Sequence, residues 1–297
     1  MTTAAAGNAM ARLARISLTC ADAESLAGFY ERALGFRRLA SERLSGTKFE
    51  KLLHVKGGAL SILLGLGQQI VELLQFDQPG RAYPADTQSS DLIFQHFAIV
   101  VADIDEAYKN LQRVRGWTAI SDAGPQRLPA SSGGVSAFKF RDPEGHPLEL
   151  LAFPSGHVPA HWQVREKDSL YLGIDHSAIS VSDSAHSIAF YAALGLVVSA
   201  RSLNEGPEQG QLDHLSDPRV TVIAMAPNQA TPHIELLCYE RSQTDRRDPL
   251  QMPSHDIATT RLVFQSQVSA DAAGIEPLPY RLADPDGHHL IIAPATD

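Results

Sequence analysis

The sequence predicts an α+β fold made of four βαβββ modules. Three observations predict it. A strand–helix pattern that ends in Leu-Gly or a near relative of it returns along the 297 residues. An Asp-Pro-x-Gly turn occurs twice, as Asp142–Gly145 and Asp284–Gly287. A glutamate recurs at one place in three terminal strands, as Glu72, Glu149 and Glu235. Self-similarity of this kind marks a repeat architecture.

The first module opens at Arg12 with an alternating strand that ends near Asp22. A carboxylate there can accept a bond from an orphan N–H of the helix that follows. Leu26, Phe29, Tyr30, Ala33 and Leu34 fall on one helical face, and Gly35 suits the helix end. Ala59 to Leu64 and Gln69 to Phe76 then read as a hairpin. The second module repeats this from Phe94, with Asp103 as cap and Ala107, Tyr108 and Leu111 on the helix face. Its closing strands, Val135 to Phe140 and Pro147 to Phe153, flank the turn Asp-Pro-Glu-Gly, which has good type I chemistry.

The third module runs from Gly173 through Asp183 and Gly195 to strands at Val220–Met225 and His233–Tyr239. The fourth is shorter. It starts near Ile257, passes through a brief helix, and ends with Arg281 to Ala293 around Asp-Pro-Asp-Gly. Polar joins at 77–91, 154–169 and 240–256 separate the modules. Two domains are expected. The first spans residues 12–153, with modules 12–76 and 93–153. The second spans 172–294, with modules 172–239 and 257–294, the last truncated.

Composition narrows the function. The hydrophobic share is 44% and the charged share 20%, values of a soluble globular chain with an adequate core. A net charge of −9 without a basic run argues against nucleic acid. No apolar stretch approaches a membrane span, so no membrane partner is expected. Two cysteines, Cys20 and Cys238, make no disulfide framework, and no export signal is visible at the Ala-rich start. The expected location is the cytoplasm.

Chemistry enters where the modules are superposed. Seven residues before the capping Asp stand Arg15, His96 and His176. Glu149 lies in the strand Leu-Glu-Leu-Leu-Ala-Phe, which is apolar on both faces, so its carboxylate needs a partner or a metal. His and Glu from neighbouring strands of one module can form an N/O site for a divalent transition metal. A buried His–Glu hydrogen bond is the structural alternative. The fourth module has Thr259 or Thr260 at the His place and Ile291 at the Glu place, and the first pairs Arg15 with Glu72. His146, His288 and His289 fall at turns and are expected on the surface; His233 is a weaker ligand candidate.

A strand led by His, a helix ending Phe-Tyr-x-x-x-Leu-Gly-Phe or Phe-Tyr-x-x-Leu-Gly-Leu, and Asp-Pro-x-Gly-His-x-x-Glu-Leu resemble the vicinal oxygen chelate superfamily. That superfamily includes glyoxalase I, bleomycin-binding and fosfomycin-resistance proteins, and extradiol dioxygenases. The resemblance implies modules paired into two cup-shaped half-barrels, with metal ligands on the first and last strand of each module. Pairing module two with three would gather His96, Glu149, His176 and Glu235, the His-Glu-His-Glu set of glyoxalase I. Pairing one with two would gather Glu72, His96 and Glu149.

The resemblance also implies one divalent metal (Ni, Zn, Fe or Mn), and a proton-moving role for Glu149 or Glu235. The expected activity is a glyoxalase-like lyase or isomerase acting on a small oxygenated substrate through a metal-stabilised enediolate. An extradiol-type ring-cleavage dioxygenase and a non-catalytic small-molecule binding protein are the alternatives. Arg127, Ser131 and Ser132, in the loop from Gly124 to Gly134, are candidate substrate contacts. The partners expected are a small-molecule substrate and a second copy of the chain.

Overall fold

The structure is a computed structural model that describes residues 10–163, 169–229, 232–240, 252–266 and 279–294. The Ala-rich start before Met10, the brief helix expected in module four and most of the third join lie outside the described residues. Module one contains β1 (Met10–Thr19), α1 (Ala23–Leu34), β2 (Arg37–Leu44), α2 (Thr47–Leu53), β3 (Ala59–Leu66) and β4 (Gln69–Phe76). Module two contains β5 (Gln95–Val101), α3 (Ile104–Gln112), the two-residue strands β6 (Thr118–Ala119) and β7 (Gln126–Arg127), then β8 (Ser136–Arg141) and β9 (Pro147–Ala152). A short α4 (Ala160–Gln163) follows. Module three contains β10 (Tyr171–Ser180), α5 (Ser184–Ala193), β11 (Val197–Glu205), α6 (Pro207–Asp213), β12 (Arg219–Ala226) and β13 (His233–Tyr239). Module four shows β14 (Thr260–Ser266), β15 (Tyr280–Ala283) and β16 (His289–Ala293).

The helices begin where the sequence places an Asp. The Asp22 carboxylate accepts from Ser25 N, that of Asp103 from Glu106 N, and that of Asp183 from Ala185 N and His186 N. Each satisfies donors that the first helical turn leaves orphaned. Gly35 closes α1 with φ of 70°, a backbone region that costs glycine nothing.

The strands form two sheets. One runs β15-β16-β14-β1-β4-β3-β2, and the other runs β11-β12-β13-β10-β5-β9-β8-β6 with β7 on β8. Each sheet therefore draws one module from each half of the chain. Modules two and three share the nine-stranded sheet; modules one and four share the seven-stranded sheet. At each centre the two first strands pair antiparallel, and each is flanked in parallel by its own last strand. This is a pseudo-twofold arrangement around the middle of each sheet.

Helices α1, α3 and α5 pack on one face of the sheets, where Leu26, Tyr30, Phe97, Ile99, Tyr191 and Ile234 join a single core. The repeated Phe-Tyr and Asp-Pro-x-Gly-His motifs meet there. Tyr30 donates to Asp142 at 3.1 Å, and Tyr191 donates to Asp284 at 3.1 Å. His146 Nε2 lies 2.8 Å from the Thr19 carbonyl, and His288 Nε2 lies 2.9 Å from that of Ser180. Each turn thus clasps the end of the preceding module's first strand. This corrects the expectation that His146, His288 and His289 are surface residues: they are 2%, 4% and 7% exposed. A buried turn carboxylate that caps its own backbone draws the following His inward.

Register corrects a second expectation. Val263 lies opposite Arg15, and Arg261 lies opposite Ser17. Ala98 lies opposite His176, and Ala178 lies opposite His96. The residue of module four that matches His96 and His176 is therefore Arg261, not Thr259 or Thr260. The fourth strand has no capping Asp by which the sequence could have been anchored.

Candidate metal centre

The other face of the nine-stranded sheet is concave in chemistry as well as in place. Side chains alternate along a strand, so a pairing of Ala98 with Glu149 and of Ala178 with Glu235 puts both glutamates beside both histidines. Ala98 and Ala178 occupy the centre with only a methyl group each, leaving room among the four larger side chains.

His96 Nε2 lies 2.8 Å from Glu149 Oε2. His176 Nε2 lies 3.8 Å from the same oxygen and 3.4 Å from Glu235 Oε2. All four residues line one cavity of about 170 Å³. His96, Glu149 and His176 are buried, while the Glu235 side chain is 23% exposed toward the opening. On its far side, His176 Nδ1 is held 3.0 Å from Asp175 Oδ2, which fixes the ring so that Nε2 faces the carboxylates. His233, in register with His176, stands at the edge of the group with Nε2 3.6 Å from Glu235.

The charges interlock. Burial pushes the Glu149 carboxyl up, but the imidazoles of His176 and His96 and the Lys139 ammonium outweigh it and hold the group well below its usual range. Burial pushes His176 down, yet Glu235, Asp175 and Glu149 together raise it well above the ordinary imidazole value. His96 goes the other way: burial and Lys139 lower it despite Glu149. Glu235 is lowered overall, because His176 and His233 more than offset its burial.

His96, Glu149 and His176 present donors close enough to share a divalent cation, and Glu235 stands beside His176. Ligands held at about 2.0–2.2 Å from one ion stand roughly 3.0–3.6 Å from each other. The spacing of His176 to Glu235 falls in that range and the other two lie close to it. His176 Nε2 is buried and has no hydrogen-bond partner, an orphan that a shared cation would satisfy. Two imidazoles with two carboxylates are a borderline donor set suited to a transition metal.

The loop residues expected to touch substrate divide. Ser132, in a 3-10 turn at Ala130–Ser132, lines the cavity; Ser131 is exposed; Arg127 is exposed in β7 beside Ser136. Sequence reasoning missed a polar cluster on the cavity wall. Lys139 sits opposite Glu149 on β8, and its Nζ lies 2.7 Å from Asp213 Oδ1. Asp213 Oδ2 accepts from Gln209 Nε2 at 2.7 Å and from the Tyr239 hydroxyl at 2.9 Å. A lysine inside the apolar strand Ser-Ala-Phe-Lys-Phe was the one available signal for this cluster.

The seven-stranded sheet has a matching place with different contents. Arg15 Nε pairs with Glu72 at 3.2 Å, and Ser61 donates to Glu72 at 2.8 Å. Arg261, fully buried, donates to the Ser254 carbonyl and to Thr19. Leu53, Phe76, Val263 and Ile291 pack together over this face with Phe49 and Leu52. Neither His nor a second Glu is present at the equivalent positions.

Comparison with known proteins bears on the family and the fold. Residues 12–150 match the sequence model of the Glyoxalase/Bleomycin resistance protein/Dioxygenase superfamily. The chain is similar in fold to glyoxalase I from Zea mays, at 15% identity and a TM-score of 0.58, over 95% of this chain and 91% of that one. It is similarly close to a candidate dioxygenase from Bacillus subtilis, at 14% identity and a TM-score of 0.56, over 97% and 86%. No curated protein matches the chain.

Proposed function

This chain belongs, through residues 12–150, to the Glyoxalase/Bleomycin resistance protein/Dioxygenase superfamily, and from that premise we propose that it is a metal-dependent lyase or isomerase acting on a small oxygenated substrate. The observation that carries the reading is the convergence of His96, Glu149, His176 and Glu235 on one buried face, with His176 Nε2 left unpartnered between two carboxylates. These four residues would hold the cation. When bound, it supplies Lewis-acid chemistry, polarising a carbonyl and stabilising charge on neighbouring oxygens.

The chain's own groups do the rest. Glu149 is tied to His96 at 2.8 Å and held as a carboxylate. Glu235 has longer contacts, 3.4 Å to His176 and 3.6 Å to His233, and more exposure to the cavity. It is the carboxylate freer to take a proton from carbon adjacent to a carbonyl, provided the carbon acid comes within hydrogen-bond reach. Asp175 keeps His176 oriented. Leu128, Leu151 and Leu212 supply an apolar part of the cavity wall.

One observation favours a second reading. The tightest group, His96, Glu149 and His176, is a two-histidine, one-carboxylate set of the kind that serves non-haem iron(II) oxygenases. Exchange of the α-proton of hydroxyacetone with deuterated water, followed by proton NMR, tests the first reading against oxygen uptake with catechol. Exchange without oxygen uptake supports the lyase or isomerase; oxygen uptake with ring opening and no exchange rejects it in favour of the dioxygenase.

A further inference from the structure

The two sheets carry matching caps. Helices α2 and α6 both follow a glycine with φ near 90°, Gly46 at 95° and Gly206 at 92°. Both end in a left-handed histidine, His54 at φ 55° and His214 at φ 54°. Superposing them residue by residue sets Phe49 against Gln209, Leu52 against Leu212, and Leu53 against Asp213. In the seven-stranded sheet Phe49 and Leu53 help fill the space over the strands. In the nine-stranded sheet the same two places hold an amide and a carboxylate, 3% and 1% exposed.

Burying those polar groups costs stability unless each is satisfied. Asp213 is, by Lys139, Gln209 and Tyr239. Gln209 is not. Its Nε2 must face the Asp213 carboxylate, which only accepts, so the remaining atom is the acceptor Oε1. That oxygen is buried without a partner, and the residue lines the cavity. Lys139 lines the same cavity, with three protons and one hydrogen bond, to Asp213. A donor and an acceptor therefore converge on one carboxylate at the cavity wall. A hydroxyl group is the partner that satisfies both, accepting from the ammonium and donating to the amide oxygen.

We propose that Lys139 and Gln209 form a hydroxyl-recognition subsite, so that the substrate is a compact hydroxycarbonyl compound with one hydroxyl beyond the two oxygens directed at the His–Glu group. The inference rests on the metal-dependent reading given above. Lys139 and Asp213 cancel in charge, so the subsite favours an uncharged group. The cavity, about 170 Å³, is below the roughly 300 Å³ at which sites for drug-sized ligands begin.

The test uses zinc-loaded full-length protein and two probes that differ by a hydroxyl, glycolohydroxamic acid and acetohydroxamic acid. Isothermal titration calorimetry should show at least about tenfold tighter binding of the hydroxylated probe, since a site built to hydrogen-bond a hydroxyl rejects the analogue lacking it. Gln209→Leu, which leaves the Lys139–Asp213 pair intact, should abolish that preference while zinc content, measured by elemental analysis, stays unchanged. Lys139→Met should do the same if it folds; Gln209→Leu keeps the test decisive if it does not. Equal affinity for the two probes in zinc-loaded wild type, or a preference that survives Gln209→Leu, overturns the subsite alone. Wild type that takes up no zinc overturns both the subsite and the metal-dependent reading.

Discussion

The two sheets are built from the same modules, yet one keeps a cavity lined by polar groups and the other, among the described residues, covers the matching place with apolar side chains and an ion pair. Both have a carboxylate on the last strand of an N-terminal module, Glu149 in one and Glu72 in the other. Around Glu149 stand two imidazoles and a second carboxylate; around Glu72 stand Arg15, Ser61 and Ile291's apolar neighbours. Arginine can replace a cation's charge beside a carboxylate but cannot leave a coordination position open. The difference teaches that the fold needs something at these positions, and that the choice between ligand and filler decides whether the sheet has a site.

Exchanging the cap residues should break this division most severely. Asp213→Leu leaves the Lys139 ammonium buried without its partner, and Leu53→Asp puts an unpaired carboxylate into an apolar cluster. Each should cost about 3–5 kcal/mol, the loss expected for an uncompensated buried charge, read as a lowered urea midpoint. A loss below about 1 kcal/mol for either would mean that the caps are interchangeable and the comparison empty.

Acid should find the seven-stranded sheet through His289. Burial, with the charges of Arg261 and Arg281, pushes this imidazole from 6.5 down to about 3. Between those values the unfolded chain holds a proton that the folded chain does not, so stability falls as pH drops from 6.5 toward 3 and is indifferent to this group above 6.5. Lowering pH from 7.5 to 5 should cost about 2 kcal/mol through His289. His289→Gln should flatten the pH slope of the urea midpoint by that amount, and an unaltered slope would contradict the assignment.

Glu72→Gln should be milder. Burial raises this carboxyl, but Arg15, Ser17 and Ser61 together hold it below its ordinary value. Because the Arg15 side chain is 37% exposed, water screens much of the pair, and the loss should be about 1 kcal/mol by thermal unfolding. The smallest effect belongs to Arg127. It is exposed in β7 and does not line the cavity, so Arg127→Ala should leave stability within about 0.5 kcal/mol and leave probe binding unchanged.

What could be read from the chain, and what could not, follows from how each feature is encoded. The capping aspartates Asp22, Asp103 and Asp183 mark helix starts by local chemistry alone, and the structure uses all three. The recurring His and Glu positions were visible because a carboxylate in a doubly apolar strand breaks a two-residue alternation. Asking which arrangement brings intact ligands together favours pairing module two with three over one with two, but only the sheet order decides between them. Arg261 was hidden because β14 leads to no capping Asp, leaving only interstrand register to identify it. Helices α2 and α6 are seven residues each, too short for a periodic apolar face, so Gln209 and Asp213 gave no signal. The burial of His146 and His288 depends on carbonyls 127 and 108 residues away in sequence, which no local pattern reveals.

The most direct measurement is metal stoichiometry after reconstitution and dialysis, by elemental analysis of wild type, Glu149→Ala, His176→Ala and Glu72→Ala. One divalent ion per chain is expected in wild type and Glu72→Ala, with affinity reduced at least about a hundredfold in the other two, since even outer-shell changes cost tenfold or more. Two ions per wild-type chain, or occupancy that falls with Glu72→Ala and survives Glu149→Ala, would contradict the assignment of the site to the nine-stranded sheet.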